Sequence, residues 1–456
     1  MEKAMKVLIL ATDGEKGWRK LCAIPLAKRM LYTLRSVGLR DVIIVTEKEG
    51  NRLREEIGDG SELGMRVLYS VPKQLPEALE GPFLALEANY VLDERIIRRL
   101  SDADGMVVAY DSRSEGGIQV VVEGGMARDL SYSGGDGAYV GASRCEPDVL
   151  TLFKGMDWTN CLAKALRSHH FSALDVATIE RYVAEIRREL PVLWCRIESD
   201  EDGKRCKRML VEGAQKRTLD ILAWYFNRPI ENWLTLRLAD TPLTPNQMSV
   251  LTYLVAMVVV GLLLAGKLKL AALLCFVVNV MDGLDGKLAR VKGLITKLGH
   301  MEHSFDLLYE QSWYIALAWA TYRLRGDVLP LVIGFAALLF DSFARHVSMQ
   351  FRQVMGVSLA DYAPFDRRFR RFDGRRNIYS IYILLGAIFG VPLCSLIAIA
   401  IHAFITGVVY AIRAAKHLRN ADLGRFTQRE DVPVSVDYNF EVTSRRARVF
   451  KSKLLR

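Results

Sequence analysis

No two of the seven cysteines (Cys22, Cys145, Cys161, Cys195, Cys206, Cys275 and Cys394) form a C-x-x-C pair, and their spacing offers neither a zinc site nor a disulfide framework. A reducing, cytoplasmic setting is therefore expected. A secretory leader is not expected either, because the apolar run near the start is short and turns polar at Thr12. Residues 1–200 have no long apolar run and carry charges throughout, whereas apolar runs dominate 246–412. The overall 51% hydrophobic content and mean hydropathy of +0.12 thus average a soluble module and a membrane module within 456 residues. A net charge of +10 could suit nucleic acid, but the basic residues cluster beside the apolar runs. A lipid bilayer with an anionic surface is the expected partner, and nucleic acid is not.

Apolar segments near 246–265, 268–289, 299–322, 328–345, 377–391 and 393–412 predict about six transmembrane helices. Thr244-Pro245-Asn246 marks entry to the first, since Thr caps helices and Pro suits the first helical position. Alternating spans put 290–297, 346–376 and the basic tail on one side, with Arg290, Lys292, Lys297 and the run Arg367, Arg368, Arg370, Arg371, Arg375 and Arg376. The positive-inside rule makes that side cytoplasmic, together with the soluble half. Residues 218–238 mix Trp224, Tyr225, Phe226 and Trp233 with Arg228 and Arg237, as in an interfacial amphipathic helix that Pro229 breaks or kinks.

Four carboxylates lie beside or inside these apolar segments: Asp282, Asp285, Glu302 and Asp306. Acids near lipid are costly and are usually paired, metal-bound or part of a substrate path. On helices, Asp282 and Asp285 fall at i and i+3, and Glu302 and Asp306 at i and i+4, so each pair shares a face. Two such helices side by side would gather oxygen donors suited to hard divalent cations and phosphate chemistry. Gly286 and Ala289 permit close approach, and Arg290 supplies a cation for a phosphate. The plainer alternative is a set of interfacial charges ending two helices, with Arg290 reaching the headgroups. A cation path is a further alternative, although such sites usually lie near the midplane. For Arg375 and Arg376 the choice is between ordinary headgroup charge and a pocket for an acceptor phosphate.

The run Asp282-x-x-Asp285-Gly286-x-x-Ala289-Arg290, followed after eight residues by Gly299, resembles the signature of the CDP-alcohol phosphotransferase family, D-x-x-D-G-x-x-A-R then G-x-x-x-D-x-x-x-D. The second half departs: Glu302 stands for the third Asp one residue early, Asp306 keeps the i+4 spacing, and His303 takes the position the third acid would otherwise hold. Thr244 to Ser249 is similar to the family's T-P-N-x-x-T entry. The resemblance implies transfer of a substituted phosphate from a CDP-alcohol to an acceptor hydroxyl, with CMP released. It implies Mg2+ (or Mn2+) on Asp282, Asp285, Glu302 and Asp306, with Asp306 also as general base. Asn246, Ser249, Gly286, Ala289, Arg290, Thr296 and Gly299 would then bind the CDP group.

In the soluble half, Lys6–Ala11, a helix over 27–37 and Asp41–Thr46 form a β-α-β unit, continued by strands near 82–86 and 105–110. A doubly wound α/β domain is expected, with its site at the strands' carboxyl ends. This half resembles a nucleotidyltransferase-like domain, and the whole layout resembles fused inositol-1-phosphate cytidylyltransferase / di-myo-inositol phosphate phosphate synthase proteins. Its motif residues are degenerate: acids occupy the loop 11–19, Ile24-Pro25-Leu26 replaces K-P-L, and Asn89 and Glu198 stand near the two expected metal-binding acids. An inactive cap or dimerisation surface is expected, and a homodimer. The expected domains are 1–210, the juxtamembrane helix 211–243, the all-α membrane domain 244–415 and a basic tail 416–456. The resemblance favours CDP-inositol with inositol phosphate as acceptor. A phospholipid synthase using a CDP-lipid, a bifunctional enzyme with an active first domain, and an inactive scaffold are the alternatives.

Overall fold

A computed structural model describes residues 5–12, 17–46, 51–75, 79–153, 157–183, 188–216, 220–296 and 298–424. Loop residues 13–16, Lys297 and the tail from 425 lie outside the described residues. The soluble half is built on nine strands: β1 (Lys6–Ala11), β2 (Asp41–Thr46), β3 (Arg66–Ser70), β4 (Phe83–Glu87), β5 (Met106–Asp111), β6 (Gln119–Glu123), β7 (Met126–Ser131), β8 (Gly137–Cys145) and β9 (Phe171–Asp175). They pair in the order β3-β2-β1-β4-β8-β5-β9-β7-β6. The β1–β4 part is parallel throughout, as the β-α-β reading predicts. The sheet is mixed, however, because β8 runs antiparallel to both β4 and β5.

Both faces of the sheet are covered, so its central strands read as continuous apolar runs rather than alternating ones. Val7, Ile9 and Ala11 pack against α1 (Leu26–Ser36) and α2 (Glu94–Ser101), whereas Leu8 and Leu10 pack towards α3 (Trp158–Ser168). A tight hairpin, Lys20–Leu21 paired with Ile24–Pro25, delivers the chain into α1. Its two turn residues, Cys22 and Ala23, both have positive φ (54° and 64°), the geometry of a primed hairpin turn without the usual glycine.

After α4 (Asp200–Gly213), capped by a Ser199/Asp202 capping box, the chain turns helical again before α5 (Arg228–Leu238). Pro229 neither breaks nor interrupts this segment: residues 223–227 widen into a π-turn immediately before it. A wider turn relieves the missing donor and the ring's clash with the preceding turn. Six long helices follow: α6 (Pro245–Leu264), α7 (Leu268–Lys292), α8 (Glu302–Arg325), α9 (Leu329–Met355), α10 (Arg376–Phe389) and α11 (Pro392–Asp422). Thr244 caps α6 in a capping box with Gln247, and Pro245 opens it. Among the described residues, α6, α9 and α11 are long and apolar enough to cross a membrane, and α10 is a shorter apolar helix. The six spans expected from sequence are thus matched by six helices but by only three such candidates. α7 and α8 have the length, at 25 and 24 residues, yet they carry the acids and bases of the candidate site.

The two halves share an apolar junction. Cys22, Leu26, Cys195 and Cys206 of the soluble half pack with Leu284, Leu288 and Val291 of α7.

Candidate active site

α7 is apolar through its first half and turns polar at Asp282, ending where Gly293 adopts the left-handed conformation (φ 72°) that terminates a helix. Leu298–Met301 then form a 3-10 turn that runs directly into α8 at Glu302. Thr296 is spent on that turn, where its hydroxyl accepts from the Gly299 amide at 3.1 Å. A 3-10 turn rotates about 120° per residue against about 100° in an α-helix, so the three steps from Gly299 to Glu302 gain roughly 60° over a continuous helix. That offsets most of the rotation that one missing residue removes, and Glu302 and Asp306 return to the face towards α7.

All four carboxylates lie within electrostatic reach of Tyr253, one turn beyond Ser249 on α6. All four act electrostatically on its hydroxyl, and Asp282 also acts on Asp285, Glu302 and Asp306. The Tyr253 ring packs against Phe305 and Tyr309 at 5.3 and 6.2 Å. Asp285 is buried and accepts from the Ser249 hydroxyl at 2.7 Å. His303 is mostly exposed and reaches Glu302 and Asp306 at 3.8 and 3.7 Å, while Glu302 is also within electrostatic reach of Asp282. Among the described residues, no three His, Cys, Asp or Glu side chains are drawn close enough together to hold a metal ion. The chemistry of the donors suits a hard divalent cation, since all four are carboxylates within electrostatic reach of Tyr253, but as they stand they do not close into a ligand set. A cation already stands on the first of them, since Arg376 pairs with Asp282.

That pair joins the motif's Asp282 to a chain of charges outside the motif. Arg376, at the start of α10, also contacts the Tyr309 hydroxyl and lies 3.1 Å from Glu310. Glu310 pairs in turn with Arg345, which binds Asp341 at 2.8 Å. Asp341, Arg345, Glu310, Arg376 and Asp282 therefore link α9, α8, α10 and α7 in one network. A signal for it was present in the sequence. Glu302, Asp306 and Glu310 continue one acidic face at four-residue spacing, and Asp341 and Arg345 are an i, i+4 pair.

The two arginines considered for an acceptor phosphate part company. Arg376 faces the carboxylates, while Arg375 binds the fully buried Asp373 at 2.9 Å. The expected donor-binding residues also divide. Gly286 lies under the Arg290 guanidinium, where a Cβ would stand 3.3 Å from its nearest nitrogen, and Arg290 Nε donates to the Ala214 carbonyl at 2.7 Å. Ala289 is half-buried on the same helix, and Asn246 is exposed in the first turn of α6. A cavity of about 2010 Å3 opens between the halves, lined by Arg290 and Thr296 together with Tyr90, Asp111, Trp194 and Arg196, but none of the four carboxylates lines it.

In the soluble half, Asn89 is buried, and its amide atoms have no hydrogen-bond partner among the described residues. Glu198 pairs with Arg196 at 2.7 Å at the surface. Asp111 is the better-defined acid, accepting from Trp194 Nε1 at 2.8 Å and from Arg113.

Residues 242–364 match the family model described as CDP-alcohol phosphatidyltransferase. Two curated relatives are each named bifunctional IPC transferase and DIPP synthase. The one from Thermococcus kodakarensis is 35% identical over 40% of this chain and 41% of its own length. The one from Rubrobacter xylanophilus is 25% identical over 84% of this chain and 88% of its own. The match to the first thus spans less than half of that relative. Among solved structures, an inositol-1-phosphate CTP transferase from T. maritima aligns at 15% identity and TM-score 0.36, covering 44% of this chain and 93% of that one.

Proposed function

We propose, from the premise that residues 242–364 carry a CDP-alcohol phosphotransferase domain, that this chain moves a substituted phosphate from a CDP-alcohol to an acceptor hydroxyl and releases CMP. The observation that carries the reading is that the family-matched segment contains the carboxylate cluster of α7 and α8. In the reaction, the acceptor oxygen forms a bond to the donor phosphorus as the bond from that phosphorus to CMP breaks. Asp306, next to Asp282 and Arg376, takes the acceptor hydroxyl's proton. Asp282, Asp285 and Glu302, with Asp306 completing the set, would hold Mg2+ or Mn2+. When bound, the metal neutralises charge on the diphosphate and the leaving CMP. Ser249 orients Asp285 through its 2.7 Å hydrogen bond, and Arg290, held over Gly286, is set to meet a phosphate.

For the donor we propose CDP-inositol, with inositol phosphate as acceptor, as the resemblance of the whole layout to the fused cytidylyltransferase and phosphate synthase proteins implies. The chain would sit in the cell membrane with six spans, its soluble half and carboxylates on the cytoplasmic side, where CDP-linked donors occur. A homodimer remains part of the proposal. The soluble half serves without cytidylyltransferase activity of its own, consistent with the degenerate motif residues at Asn89 and Ile24-Pro25-Leu26.

The test is purified protein with Mg2+, offered CDP-inositol or a CDP-lipid together with inositol phosphate, following CMP. Release from CDP-inositol supports the reading. Release only from the CDP-lipid makes the chain a phospholipid synthase, and no release from either overturns the transferase reading. CTP plus inositol phosphate alone should yield no pyrophosphate.

A further inference from the structure

Arg29 is the least expected charge at the junction of the two halves. It lies on α1, whose entry is fixed by the strained Cys22–Ala23 turn, and it is only 6% exposed among the apolar side chains of the junction. Its Nη2 donates to the carbonyl of Val291 at 2.5 Å. Val291 is in the last turn of α7, where carbonyls have no intrahelical partner and carry the negative end of the helix dipole. Two of the turn's other orphan acceptors are served locally, Arg290 and Ala289 accepting from the amides of Gly293 and Leu294. Arg29 therefore caps α7 from another domain.

The same two turns are held at three further points by sequence N-terminal to the bundle. Lys287 binds Glu231 at 2.8 Å and Asn232 at 2.7 Å. Arg290 binds the Ala214 carbonyl, and Lys292 binds those of Thr241 and Leu243 at 2.6 and 2.8 Å. All four contacts act on the stretch that carries Asp285, Gly286 and Arg290.

We infer that the soluble half has a non-enzymatic function, to fix the height and rotation of the last turns of α7, and that Arg29 is its positioning residue for the donor-phosphate side of the site. The donor-side consequence rests on the proposed transferase reading. The positioning itself does not.

The test compares full-length Arg29→Met, Arg29→Lys and the exposed same-helix control Arg35→Met. Amide hydrogen exchange over 286–294 needs no substrate. Arg29→Met should speed exchange there about tenfold while the sheet of the soluble half stays protected, with Arg29→Lys intermediate and Arg35→Met unchanged. With whichever CDP-alcohol is turned over, KM for the donor should rise about tenfold in Arg29→Met and KM for the acceptor should not. Exchange over 286–294 at the wild-type rate, or loosening of the sheet with donor KM unchanged, would overturn the inference. If Arg29→Met does not fold, Arg29→Gln takes its place, and failure of both makes Arg29 a folding residue and overturns it as well. A wild type inactive towards every CDP-alcohol counts against the transferase reading and leaves the exchange result standing.

Discussion

Gly283 lies between the two aspartates of α7, at a position the motif leaves unspecified, and its replacement by alanine has a sign that the structure decides. In a helix interior, alanine is ordinarily better than glycine by about 0.5–1 kcal/mol. Here an added Cβ would stand 2.5 Å from Cδ and 2.8 Å from Oε2 of Glu231. That carboxylate ends a flexible side chain, but it is held by Lys287 at 2.8 Å, with the two residues 6% and 2% exposed. Swinging it away breaks a buried ion pair, a loss of about 3–5 kcal/mol. Net of the helix preference, Gly283→Ala should cost about 2–4 kcal/mol and lower the midpoint of thermal unfolding by about 5 °C or more. Tryptophan fluorescence of detergent-solubilised protein reads this, and CMP release reads the displacement of Asp282 and Asp285. In a Lys287→Met background Glu231 is free to move, so the same alanine should become neutral or stabilising. A Gly283→Ala protein as stable as wild type, or more so, would refute the lock between α5 and α7.

Asp306→Asn keeps the side chain's size but removes the proposed base, and CMP release should fall about a hundredfold or more with folding intact. Normal Mg2+-dependent release would sink the assignment. Glu310→Gln leaves Arg345 and Arg376 short of a buried countercharge and should lower stability by about 1–3 kcal/mol together with the rate of CMP release, although Glu310 lies outside the motif. Wild-type stability and rate would remove it from the site. In the soluble half, burial pushes the Asp111 carboxyl up, but the hydrogen bonds from Arg113 and Trp194 Nε1 outweigh burial and leave it below the ordinary 3.8. Because the folded value is the lower one, this stabilisation is complete above the ordinary value and is lost as pH falls through the depressed one. Acid denaturation followed below about pH 4 should therefore be shallower in Asp111→Asn than in wild type, and identical acid profiles would contradict the role of the Arg113 and Trp194 contacts.

Much of this site was legible because its chemistry is written in short-range spacing. The i, i+3 and i, i+4 pairs on α7 and α8 and the cap at Thr244 each follow from helix geometry alone. What was not legible depends on which helices become neighbours. Arg376 was readable as a basic residue near an apolar segment, yet nothing local shows that it crosses to Asp282, 94 residues away. The mixed direction of β8 is of the same kind, since its neighbours β4 and β5 are brought together by the sheet and not by sequence. Lys287 and Gly283 look interchangeable in the motif, and only the packing of α5 against α7 gives each a reason.

The grip of Arg29 on α7 spans 262 residues of sequence, and this separation has a meaning in time. At about 5–20 residues per second, the ribosome makes Val291 roughly 13–52 s after Arg29. Through that interval the soluble half can fold while the surface destined for α7 is still in water, a state in which a charged guanidinium is an asset and an apolar residue a liability. The same arginine that keeps the waiting surface soluble then closes on the helix when it arrives, so newly made chains that lose α7 should betray themselves by a soluble half that is folded and undocked.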